Sequence, residues 1–150
     1  VLRDVPFEIF LANIPACRKQ CGDRAVLRAF HIYADNDRVP QQVAALREGD
    51  FDAFLQMVTA SGDSSWEYLQ NVIPAGYKEH QEVAVTIAAA KHYLGGKGAV
   101  RVHGGGFAGT VQAFVPVEML AEFKAGMEAI LGEGRCHVLS IRQAGGVRLA

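Results

Sequence analysis

The sequence predicts an α+β fold, a small, mostly antiparallel sheet of three to four strands covered by about five to six helices. Two changes of pattern and one of size predict it. Through the first two-thirds of the chain, apolar residues recur at helical spacing between glycine and proline stops. In the last third they alternate in twos, within runs rich in β-branched residues. The 150 residues, half of them apolar and 21% charged, suffice for one globular domain with its own core.

The helical elements follow in order. Val5, Ile9, Ala12 and Ala16 share a face in a first segment that Pro15 limits. From Gly22, the positions Val26, Ala29, Phe30 and Tyr33 give a half-buried helix. Pro40 is expected to end or kink it, with a short continuation through Val43 and Leu46 to Gly49. Asp50 is placed to cap the next helix, with Phe51, Phe54, Leu55 and Val58 inside and Ser61-Gly62-Asp63 as its break. Ser64-Ser65-Trp66-Glu67 has the form of a capping box, with Trp66, Leu69 and Ile73 on the buried side. Pro74 and Gly76 close that element. Residues 81–94 form another helix through Val83, Ile87, Ala90 and Leu94, stopped by Gly95-Gly96.

The strand-like part begins at residues 98–103, where Val100 and Val102 lie opposite Arg101 and His103. Residues 110–115 place Val111, Ala113 and Val115 on one side. Pro116 closes that strand, and residues 117–131 return to helical spacing through Leu120, Phe123, Met127 and Ile130. Residues 136–142 read as a third strand and 147–149 as a short fourth, turned by Gly145-Gly146.

Charge and cysteines exclude several classes. Fifteen Lys/Arg against sixteen Asp/Glu leave a net charge of −1, with no bulk attraction to nucleic acid or to an anionic membrane. No apolar run reaches the roughly 18 residues of a membrane span. Cys17, Cys21 and Cys136 cannot supply the two ligand pairs of a zinc site, and reduced thiols in a cytoplasmic protein are expected. The chain opens at Val1 without an initiator Met and reads as a piece of a longer protein.

One stretch carries chemistry: Arg101-Val-His-Gly-Gly-Gly-Phe-Ala-Gly-Thr110. Glycines at 104, 105, 106 and 109 let several main-chain N–H groups gather around one point, a ready site for an anion such as phosphate. Such a loop would act by positioning and by stabilising charge on a transferring phosphoryl group. The plainer reading is that these glycines only build a wide hairpin or a bulge. The dinucleotide fingerprint does not apply, because a strand rather than a helix follows Gly109 and Glu128 falls on a helix. No Gly-Lys-Ser/Thr makes it a Walker A loop. Arg101 and His103 flank the glycines and are the side chains placed to approach a ligand. Ser61, Asp63 and Ser64 beside His80 or His92 could be drawn as a nucleophile site, but capping accounts for them. His31 is expected on a surface or boundary, and His137 at a strand start.

The stretch 101–110 resembles the third, C-terminal glycine-rich motif of galactokinases, within the GHMP small-molecule kinase superfamily. Residues 39–54, VPQQVAALREGDFDAF, are similar to that family's helix, Ala-Leu-x-x-Gly-Asp turn and following helix. Residues 60–65, ASGDSS, resemble its Ser-His-Asp-Ser segment. His103, Ala108, Thr110 and Gly62 stand where the family usually has Thr, Gly, Cys and His.

The resemblance implies the C-terminal GHMP domain, an α/β-plait (ferredoxin-like) sheet under helices, whose partner is its own N-terminal domain. It implies a sugar kinase that uses ATP and Mg²⁺ to make galactose 1-phosphate, with Gly104, Gly105, Gly106, Phe107, Ala108 and Gly109 on the phosphate side of the interdomain cleft. The sugar-recognition and ATP-loop motifs, and the Asp and Arg that act on the sugar, would lie in the other half. No catalytic residue is assigned here, and the isolated chain is expected to be inactive and to expose apolar surface or dimerise. A non-enzymatic sugar- or nucleotide-sensing module, or a kinase for another small acceptor, is the alternative.

Overall fold

The computed structural model describes residues 1–107 and 109–148. Among the described residues, five α-helices precede one hairpin and a sixth follows it: α1 (Phe7–Ala12), α2 (Ile14–Cys21), α3 (Asp23–Glu48), α4 (Phe51–Ser64), α5 (Glu82–Leu94), β1 (Ala99–His103), β2 (Thr110–Phe114) and α6 (Leu120–Leu131). The class is α+β as expected. The sheet has two antiparallel strands, registered Ala99 to Phe114, Arg101 to Gln112 and His103 to Thr110.

Because strand side chains alternate, this register sorts the hairpin into two faces. Val100, Val102, Val111 and Ala113 face the main core, which α5 supplies with Val83, Ile87, Ala90 and Leu94, and α6 with Phe123 and Met127. Arg101 and Phe114 face α4, where the Phe54 ring meets Phe114 edge-on at 5.5 Å. The hairpin is therefore covered on both faces, not on one. A satellite cluster of Phe7, Phe10, Phe30 and Tyr33 fastens α1 to α3, and the Tyr33 hydroxyl donates to the Val5 carbonyl at 2.8 Å.

Several stops behave differently from their sequence reading. Pro15 opens α2 near its first turn, where a missing N–H costs nothing, and the break falls at Asn13. Pro40 lies inside α3, which runs on to a left-handed stop at Gly49. Asp50 caps α4 as expected, accepting from the Ala53 amide at 2.9 Å.

Ser61-Gly62-Asp63 does not break α4. A Cβ at Gly62 would stand 2.9 Å from the Arg101 Cβ and 3.1 Å from the Val100 carbonyl, so this glycine is where the helix lies against β1. The helix then widens into a π turn at Ser65–Leu69 instead of restarting at a capping box; Ser64 is buried and caps nothing. The wider turn changes the helical phase, which leaves Trp66 38% exposed. Phe51 and Ile130 are likewise about half exposed, at 52% and 50%, while Phe123 is in the core.

Residues 136–142 form no strand: Val138, Leu139 and Ile141 are exposed, and neither edge of the hairpin pairs with them. Val147 and Arg148 are not in a strand either, and the remainder of that expected fourth strand, Leu149, lies outside the described residues.

Candidate functional site

The glycine segment is the connection between β1 and β2, at the end of the hairpin away from Gly98. Arg101 and His103 precede it on one face of β1, and His103 is exposed beside the loop. The Arg101 guanidinium turns toward α4, donating to Ser61 Oγ at 2.7 Å and to the Val102 carbonyl at 3.0 Å.

Within the loop the main chain divides into tethered and open parts. The Phe107 amide donates to the Asn71 carbonyl at 2.5 Å, and the Gly109 amide to the Gly106 carbonyl at 3.1 Å. The Gly106 N–H closes a turn over Gly104 and Gly105, whose own amides have no partner among the described residues. Cβ atoms built on Gly104 and Gly105 would meet nothing within 4 Å. At Gly106, with φ +79°, a Cβ would fall 2.2 Å from the Asn71 carbonyl oxygen. Ala108 lies outside the described residues.

Asn71 is the residue that the sequence did not point to. It follows the π turn, is 3% exposed, and sends Nδ2 to the Gly105 carbonyl at 3.5 Å. Its Oδ1 is buried with no partner among the described residues. The signal for it was faint: a polar pair, Gln70-Asn71, just past a helix end.

A second polar cluster lies between α3, α4 and β1, and it overturns two expectations. His31, expected at a surface or boundary, is 4% exposed. Its Nε2 donates to Asp35 Oδ2 at 3.2 Å, and its Nδ1 accepts from Ser64 Oγ at 3.0 Å, the tautomer that a carboxylate at Nε2 selects. Ser61 donates to Asp35 at 2.9 Å while accepting from Arg101, and Arg38 closes on Asp35 at 2.5 Å. Ser61 and Ser64 thus serve this cluster, while Asp63 pairs with Lys91 at 2.9 Å.

Ser64, His31 and Asp35 follow the order of a nucleophilic triad. With Ser64 only 3% exposed between two helices, no substrate carbonyl can reach its hydroxyl. The cluster is a clamp from α3 through α4 to the strand that carries the glycine loop. Burial pushes the His31 pKa below its ordinary 6.5, against the pull of Asp35 and with help from the Arg38 and Arg101 charges.

No protein-family profile matches the chain. Curated relatives do match it, among them three named galactokinase. One from Actinobacillus pleuropneumoniae is 31% identical over 123 residues, 82% of this chain and 30% of its own length. One from Mannheimia succiniciproducens is 30% identical over 123 residues, with the same 82% and 30% coverage. That of A. pleuropneumoniae serotype 5b is 31% identical over 115 residues, 77% of this chain and 28% of its own length. The resemblance to galactokinases therefore extends over most of the chain, which spans less than a third of the length of these relatives.

Proposed function

We propose that the chain is the C-terminal GHMP domain of an ATP-dependent galactokinase, which transfers the γ-phosphoryl group of ATP to galactose and releases galactose 1-phosphate and ADP. The observation that carries this reading is the glycine loop: open main chain at Gly104 and Gly105 on the end of a hairpin covered on both faces. Kinship with proteins named galactokinase supplies the reaction class.

Phosphoryl transfer asks a protein mainly for position and for donors aimed at the non-bridging oxygens. Unpartnered amides on a rigid support meet that need without reorganising as charge develops. In this reading the loop faces the γ-phosphate across a cleft completed by the chain's own N-terminal domain, which brings the catalytic side chains. Mg²⁺ travels with the nucleotide; no three His, Cys, Asp or Glu side chains gather among the described residues to hold it. The exposed Val138, Leu139 and Ile141 supply apolar surface for such a further domain to cover. No helix among the described residues is long and apolar enough to cross a membrane.

The test uses the longer protein that carries this chain. Purified, it phosphorylates galactose with ATP, while residues 1–150 alone show no turnover. Gly105→Val leaves the fold intact, because a Cβ at Gly105 meets nothing within 4 Å, and lowers kcat by blocking approach to the main chain. Absence of sugar phosphorylation by the longer protein, with ATP bound and galactose untouched, would shift the reading to a nucleotide-sensing module.

A further inference from the structure

We propose that Arg101 is the positioning residue of the glycine loop, held in place by the Asp35 carboxylate through the Ser61 hydroxyl; this rests on the phosphoryl-transfer reading above. Ser61 is 3% exposed. Its one hydroxyl proton goes to Asp35, 2.9 Å from Oδ1 and 3.1 Å from Oδ2, so the Arg101 Nη1–H at 2.7 Å meets a lone pair. Asp35 is held in turn by Arg38 and by His31 Nε2, both on its own helix. The relay from Arg101 to Ser61 to Asp35 therefore runs one way, from donor to acceptor, and each bond polarises the next.

The other end of the guanidinium acts on the strand. Arg101 Nε donates to the Val102 carbonyl at 3.0 Å. That carbonyl belongs to the last peptide within β1, the one joining Val102 to His103. A peptide is planar, so fixing its carbonyl orients the chain as it enters His103, from which the turn over Gly104 and Gly105 starts. At the same level Gly62 brings α4 close against β1, where a Cβ would stand 2.9 Å from the Arg101 Cβ. Beyond the turn the Phe107 N–H is tied to the Asn71 carbonyl. The two open amides of the loop thus lie between two anchors, and Arg101 is the one that precedes them. A planar guanidinium can serve both acceptors at once in fixed directions, which an ammonium cannot. Charged groups drawn out of water add little net stability over apolar side chains of the same volume, but they specify one arrangement. Arg101 has Nε and Nη1 engaged within the protein, so it acts on the phosphates through the loop and not by contact.

The experiment takes the longer protein, unaltered and as Ser61→Ala, Arg101→Met and the two combined. Expected for each single variant is a rise of about fivefold or more in KM for ATP, with KM for the sugar unchanged within about twofold. The combined variant should match Arg101→Met within about twofold, because Ser61 then has no guanidinium left to hold. Effects that multiply in the combined variant overturn the proposal. So does a loss of active protein with both KM values in place, the mark of a residue that only holds the fold. Resonances of the unaltered protein decide it whether or not the variants fold. A non-hydrolysable ATP analogue should shift the Gly104 and Gly105 amides and leave a slowly exchanging Arg101 Nε–H in place. An Arg101 Nε–H that exchanges as fast as those of solvent-exposed arginines, or that shifts with the analogue, refutes the positioning role and spares the kinase reading. Analogue binding that leaves both glycines unmoved refutes it equally. Absence of both nucleotide binding and turnover overturns the two together.

Discussion

Replacing Gly106 by alanine, with Gly105→Ala as its twin, separates structural from functional glycines by stability alone. At Gly106 the new methyl group would sit 2.2 Å from the Asn71 carbonyl oxygen and 2.7 Å from Nδ2, well inside van der Waals contact. Its φ of +79° adds the left-handed penalty, about 1–2 kcal/mol for a residue with a Cβ. Overpacking against a fixed backbone atom costs about 1–3 kcal/mol more. The two together predict a loss of about 2–5 kcal/mol. At Gly105 neither cost applies: nothing lies within 4 Å of its Cβ position and its φ is not positive. Gly105→Ala should therefore stay within about 0.5 kcal/mol of the parent. Urea denaturation of the parent and both variants, read by far-UV circular dichroism, measures the difference. Equal midpoints for the two variants would refute the close approach of Gly106 to Asn71.

Two further outcomes follow from the buried cluster and the cap. Because burial holds His31 below its ordinary pKa, the unfolded chain binds its proton more tightly, so stability present above about pH 6.5 is lost as the pH falls through the lowered native value. Denaturation series between pH 8 and pH 5, flattened in His31→Gln, check the sign; parallel curves would contradict it. Asp50→Ala removes the acceptor for the Ala53 amide and should cost about 1 kcal/mol, measured by the shift in urea midpoint.

Relations between neighbours in sequence were determined by the sequence itself. Asp50 ahead of an apolar helical face marks an N-cap whatever surrounds it, and Val83, Ile87, Ala90 and Leu94 share a side because a helix turns once in 3.6 residues. The alternation at 99–103 set which residues of β1 face inward, and the glycine cluster announced the loop.

Tertiary structure decided what depends on distant partners. Gly62 looked like a helix stop because its reason for being glycine is a strand some forty residues on, Arg101 lying against it. His31 looked peripheral because Asp35, Ser64 and the approach of Arg101 make its burial tolerable only once α3, α4 and β1 are assembled. Residues 136–142 have strand-like residues, but a strand exists only when an edge accepts it, and neither edge of this hairpin does. Asn71 stayed invisible for the same reason. What it does is defined by a loop 34 residues away, and no local pattern records a hydrogen bond across that distance.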